Sequence, residues 1–184
     1  MKNIFFILIS ALNFKAFALM TEVGASYSYS KKTFNETNFY QTDSKSVSLS
    51  LYFLEKFALE FSYADQFYES QESDSTSTRT VQQSSKIYGT DLIYVITDQH
   101  SLFQPYLKIG GAYIAKKKQV KYVNADVINI PTKDGLAPSY GIGLKYKLSE
   151  KFSVKVGYDL WKTPLDDGTT SDDASFKVGL SWYL

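Results

Sequence analysis

The chain has no cysteine and a single histidine among its 184 residues. The first absence excludes a disulfide framework and any thiolate metal site, and the second argues against a zinc centre. An excess of charge of one sign is also missing, since 20 basic residues face 19 acidic ones. Nothing electrostatic therefore invites a nucleic acid. There is no Gly-rich phosphate loop, nucleotide motif or heptad run. The apolar run from Ile4 to Leu12 is too short for a spanning helix, which needs ~20 residues.

That run has the parts of an export signal. Lys2 supplies a positive start, Ile4 to Leu12 an apolar core, and Ala16-Phe17-Ala18 an A-x-A cleavage site. Lys15, between core and cleavage site, departs from a clean signal, and a short buried helix is the competing reading. The expected division is a cleaved signal peptide over 1–18 and one domain over 19–184. Cleavage removes Lys2 and Lys15 and no acid, so 18 basic residues face 19 acidic ones, a net charge of −1. Export without cysteines fits a bacterial envelope, and the Asn35-Glu36-Thr37 sequon is then incidental.

What the chain has in abundance is aromatic residues, 15 Tyr and 13 Phe, which favour strands. From Val23 onward apolar and small residues alternate with a period of two, so each strand divides into two faces. One face carries Val23, Ala25, Tyr27 and Tyr29, then Val47, Leu49, Leu51 and Phe53, and so on to Phe176, Val178, Leu180, Trp182 and Leu184. None of its positions is charged. The other face is mostly Gly, Ser and Ala with a few ions. Volume decides which face points inward. An eight-strand barrel has an interior just wide enough to be filled by side chains, and it cannot hold so many Phe, Tyr, Leu and Ile. The small face therefore points in and the apolar face meets lipid.

The connections alternate in length. Leu54–Lys56, Thr97–Ser101 and Ser149–Lys151 are short; Asn35–Gln41, Gln66–Ser84, Lys116–Gly135 and Lys162–Asp173 are longer and polar. The expected fold is all-β, an eight-stranded antiparallel up-and-down transmembrane β-barrel with short periplasmic turns and longer extracellular loops. Closure removes the sheet edges that lipid does not tolerate. Aromatics fall at the strand ends, as in an aromatic girdle: Phe53, Phe57, Phe103, Phe152 and Trp182 near the turns, Tyr29, Tyr63, Tyr113 and Tyr158 towards the loops. The pattern specifies the fourth strand, about residues 86–96, least well, because Ile87, Ile93 and Val95 make its inner face apolar too.

The inner face collects Glu22, Glu60, Asp91 and Asp159 against Lys108, Lys145, Lys155 and Lys177. Unpaired, such ions are costly in a narrow lumen, so a self-neutralising structural network is expected, with an ion or proton path as the competing reading. Asp159 and Lys177 fall at similar heights on the last two strands and are expected to be neighbours. Loop three brings Lys116, Lys117, Lys118 and Lys121 together, a candidate contact for lipopolysaccharide phosphates if it is more than a solvated loop. Loop four pairs Asp166-Asp167 with Asp172-Asp173, a spacing that does not match an EF-hand, so no metal is assigned. Loop two, 70–85, is rich in Ser and Thr and is expected to be mobile.

The segments QPYLKIGGAYIA (104–115), YGIGLKYKLSEKFSVKVGYDLW (140–161) and SFKVGLSWYL (175–184) resemble small bacterial outer-membrane barrels of the OmpX/OmpA transmembrane-domain type, over residues from about 20 to 184. The resemblance implies the bacterial outer membrane, lipid and lipopolysaccharide as surroundings, and a monomer. It also implies that the last strand is read by the barrel-assembly machinery, although such signals usually end on an aromatic and this one ends on Leu184. No cofactor, catalytic residue or nucleic-acid partner is implied, and the extracellular partner stays open. His100, in the turn Asp98-Gln99-His100-Ser101, reads as a surface residue; a lipid A deacylase like PagL would carry a histidine at the opposite end. A non-enzymatic structural or loop-binding role is the leading expectation. An OmpW-like channel for small or apolar solutes, hinted at by Tyr52, Ile87, Ile93, Val95 and Trp161, and a lipid A-modifying enzyme are the alternatives.

Overall fold

A computed structural model describes residues 20–35, 37–73, 77–123, 126–164 and 169–184. The expected signal segment, 1–18, lies outside them. Among the described residues nine strands follow one another: β1 (Met20–Thr33), β2 (Phe39–Leu54), β3 (Phe57–Ser73), β4 (Thr78–Val95), β5 (Phe103–Tyr122), β6 (Ile128–Ile130), β7 (Gly135–Lys147), β8 (Phe152–Pro164) and β9 (Thr170–Tyr183). Every pairing is antiparallel. Eight strands close a ring, because β4 pairs with β5, β5 with β7, and β9 with β1. The three-residue β6 lies against the upper end of β5. Among the described residues no helix is long and apolar enough to cross a membrane; the crossing is made by strands.

The two-residue period assigns the faces as the sequence suggests. Val23, Val47, Ile109, Ile142, Phe176 and Leu180 are exposed on the outside, where the contacting solvent is lipid. On β4, Ile87, Asp91, Ile93 and Val95 are buried in the lumen while Tyr88, Leu92 and Tyr94 are exposed. The apolar inner positions do not flip this strand, because both neighbours pair in continuous register along it and a one-residue slip would send Asp91 into lipid. The short connections stand as expected. A register shift between Tyr52 and Leu54 tightens the entrance to the first turn.

The long connections differ from expectation. Most of the residues read as loops two and three continue the ladders: β3 and β4 stay paired up to Ser73↔Thr78, and β4 and β5 up to Arg79↔Tyr122. Loop two is therefore paired strand at Ser70–Ser73 and Thr78–Ser85 rather than loop. Above the membrane both faces of a strand are wet, so pairing continues after the apolar alternation that reveals it has ended. The wall formed by β2–β5 stands taller than the one formed by β7–β9.

Candidate functional site in the barrel interior

The lumen is layered. Nearest the turns, Tyr52, Ala58, Ile93, Val95, Tyr106 and Tyr183 pack into a buried cluster with Met20 against it. Glycines make room there. Tyr106 lies over Gly143, where an added Cβ would meet its ring, and a Cβ at Gly157 would lie 2.9 Å from its Oη. Gly143 and Gly157 are partners across β7 and β8, so one ring occupies the space that two side chains would need.

Above this cluster runs the charged layer. Lys145 Nζ lies 2.5 Å from Glu22 Oε2, and Tyr52 Oη donates to the same oxygen at 2.7 Å. Lys145 also contacts the Tyr52 hydroxyl, and its ammonium lies 5.1, 5.7 and 5.9 Å from the ring centroids of Tyr52, Tyr106 and Tyr183. Three π faces thus surround one buried cation. Lys155 bridges Glu22 at 3.3 Å and Glu60 at 3.4 Å. Lys108 contacts Glu60 at 3.1 Å, Asp159 at 3.2 Å and Asp91 at 3.7 Å. Lys177 completes the layer 3.0 Å from Asp159. Glu22, Glu60, Asp91 and Asp159 and Lys108, Lys145, Lys155 and Lys177 therefore join one chain of contacts, four acids against four bases. Ser50 donates to Glu60 at 3.2 Å, and Ser139 donates to Asp91.

The strand pairings explain this convergence. Glu60 pairs with Asp91 across β3 and β4, Lys145 with Lys155 across β7 and β8, and Gly157 with Lys177 across β8 and β9. Like charges thus sit side by side at Glu60–Asp91 and Lys145–Lys155 and reach through the lumen to opposite charges, Lys155 to Glu60 among them, while Lys177 meets Asp159 and Lys108 meets Asp91 between neighbouring strands. Cross-strand repulsion is offset across the lumen, which is possible only in a closed and narrow barrel.

A second apolar cluster, Ala64, Ile87, Ala112, Ile114, Ala137 and Trp161, caps the charged layer on its outer side. Lys177 Nζ lies 4.9 Å from the Trp161 ring centroid. Above it opens a vestibule of about 630 Å³, floored by Ile87, Ile114 and Trp161 and walled by residues such as Ser28, Thr42, Gln66, Gln83 and Ser175. The cavity within the charged layer is only about 50 Å³.

The remaining candidates are dispersed. Lys117 and Lys121 are exposed on β5, whereas Lys116 and Lys118, at alternate positions, turn to the vestibule side and are half-buried. The four lysines do not form one patch. The nine girdle aromatics all lie on the outer face. Neighbouring rings touch near the turns, with Phe57 and Tyr94 at 4.9 Å, Phe103 and Tyr146 at 4.9 Å, and Phe152 stacked on Trp182 at 5.3 Å. His100 is exposed in its turn. In the same region Lys56 and Asp98 join the first two turns at 2.8 Å. Their hydrogen bond holds the Asp98 carboxyl below and the Lys56 ammonium above their ordinary ranges. Asp166 and Asp167 of loop four lie outside the described residues. Among the described residues no group of three or more His, Cys, Asp and Glu side chains is arranged to hold a metal.

Sequence reasoning missed Tyr106 and the role of Tyr183. Their signal is a large residue at an inner position otherwise occupied by Gly, Ser or Ala. It also missed the seam, where β1 and β9 pair only from Glu22↔Tyr183 to Tyr27↔Val178.

Comparison with known proteins agrees with this architecture. The fold matches the N-terminal β-barrel domain of Pseudomonas aeruginosa OprF, at 19% identity and TM-score 0.52, covering 90% of this chain and 97% of that one. It matches Ail, the attachment invasion locus protein of Yersinia pestis, crystallised with the heparin analogue sucrose octasulfate, at 12% identity and TM-score 0.59, covering 90% and 99%. It also matches OprG of Pseudomonas aeruginosa, at 11% identity and TM-score 0.58, covering 91% and 96%. No curated protein matches the sequence significantly. The sequence matches the outer membrane protein beta-barrel domain family over residues 4–183. With eight strands closed into a barrel, lipid-facing apolar residues outside and paired ions within, the chain belongs to the outer membrane protein beta-barrel domain family.

Proposed function

We propose that this protein is a non-enzymatic barrel of the bacterial outer membrane, delivered there by export, with a closed lumen and a role carried by its extracellular rim. The observation that carries this reading is the neutral network of eight ions across the lumen. Breaking such a buried pair costs about 3–5 kcal/mol, so the network acts as a plug that stiffens the wall. A cavity of about 50 Å³ inside it holds a few waters and is too small for a solute.

The rim offers cations at the height of lipopolysaccharide. Lys117 and Lys121 are exposed on β5 and Lys86 on the adjacent β4, and ammonium groups are workable phosphate partners. The complex of Ail with a sulfated sugar analogue is a precedent for a barrel of this fold meeting a polyanion. Conductance of single barrels in a planar bilayer tests the plug. Closed or flickering records are expected, and large stable openings would overturn it. For the rim, Lys86→Gln, Lys117→Gln and Lys121→Gln together should weaken binding to lipopolysaccharide-bearing vesicles at low salt. Equal binding by the triple variant would remove these lysines from the role.

A further inference from the structure

β1 and β9 close the barrel with an interrupted seam. Their ladder stops at Tyr27↔Val178, yet both strands run on: β1 stays paired with β2 to Thr33, and β9 with β8 back to Thr170. Residues 28–32 and 173–177 would continue the ladder, and among the described residues they form no pair with each other.

The vestibule coincides with this interruption. Its lining includes lumen residues and also Tyr29, Tyr158 and Phe176, whose side chains are exposed on the outer face of the wall. The cavity therefore reaches the wall where the ladder is interrupted. Its outer rim is aromatic and lies in the upper part of the apolar belt. Its floor, Ile87, Ile114 and Trp161, is apolar, and its walls are mostly hydroxyls and amides, with one residue of each charge, Lys116 and Asp173, among them. Two buried hydroxyls in its lining, Thr163 Oγ1 and Ser175 Oγ, have no hydrogen-bond partner among the described residues. Turned toward the cavity, each of these hydroxyls would gain from a ligand head group the partner it lacks.

We propose that the vestibule binds a single-chain amphiphile with an uncharged, hydroxyl-rich head, admitted sideways from the outer leaflet between β1 and β9. The volume, about 630 Å³, falls within the 300–1,000 Å³ usual for small-molecule sites. The apolar end rests on Trp161 and the head meets Thr163 and Ser175. Because the charged layer lies directly beneath, the ligand is held and not passed on. The site is therefore independent of the rim lysines.

The chain has two tryptophans, so Trp182→Phe leaves Trp161 as the only one. In phospholipid vesicles, an alkyl maltoside brominated at its chain end should quench Trp161 saturably and remove most of its emission. A brominated two-chain phospholipid should not. Ser175→Phe and Ser28→Phe, each filling the cavity from a different strand, should abolish the saturable loss. Tyr29 and Phe176 would face each other were the ladder continued. A disulfide between Tyr29→Cys and Phe176→Cys should block quenching, and reduction should restore it. Quenching that rises linearly with probe, survives both fillings, or is matched by the phospholipid would overturn the site. Quenching abolished by filling but untouched by the disulfide would overturn the lateral route.

Discussion

Lys145 Nζ sits 2.5 Å from Glu22 Oε2 with neither side chain exposed, across a sequence separation of 123 residues. The first and seventh strands are thereby tied through the lumen, although they do not neighbour each other in the sheet. Glu22→Gln keeps the shape and removes the charge, leaving Lys145 buried among three rings. The expected loss is about 3–5 kcal/mol, read as a lower urea midpoint for the refolded barrel. Adding Lys145→Met to Glu22→Gln removes both charges and should recover much of that loss. A double variant no better than the single would mean that the pair acts only through packing.

Lys108 touches three carboxylates, whereas Lys177 touches one and is more exposed. Lys108→Met should therefore cost about 3–5 kcal/mol and Lys177→Met clearly less. If the plug is the barrier, single-channel records of Lys108→Met should show openings that the unaltered barrel lacks. Equal midpoints for the two variants would contradict the hub assignment.

Gly110 and Gly111 are adjacent but face opposite sides. A Cβ at Gly110 would collide with the backbone of β4, lying 2.7 Å from Asp91 Cα, while one at Gly111 would meet Ala137 O at an ordinary 3.7 Å. Gly110→Ala should destabilise by about 1–3 kcal/mol through overpacking, and Gly111→Ala should be close to neutral. Comparing heat-modified and unheated gel mobility for the two variants, with their urea midpoints, checks this.

The Lys56–Asp98 pair predicts a pH window. Asp98 is held below its ordinary range, so its contribution is full above ~3.9 and is lost as pH falls through its folded value. Lys56 is held above its ordinary range, so its contribution is full below ~10.4 and is lost as pH rises through its folded value. Asp98→Asn should therefore differ from the unaltered protein at neutral pH by a small margin, because the pair is exposed. The difference should vanish in strong acid. A difference that persists there would assign it to something other than charge.

Much of the fold was legible because the membrane imposes a strict period. Lipid outside and a narrow lumen inside force alternate residues to be large and apolar or small and polar, so Val23 and Gly24 already declare their faces. The same rule lost its power above the membrane. Thr78 to Ser85 and Lys116 to Tyr122 are paired strand, but with water on both faces they read as loop. Within the site, Asp159 and Lys177 could be judged neighbours because they sit on consecutive strands at similar heights, one diagonal step apart in the register.

The sequence by itself determined the strand faces, the even strand number and the set of eight inner ions. Those follow from local periodicity and from the exclusion of charge from lipid. Only the closed barrel decided which ion meets which, why Tyr106 lies across Gly143 and Gly157, and where the seam between β1 and β9 stops. Such relations span the lumen or join the chain's two ends, and shear and curvature set those distances. No run of neighbouring residues records them.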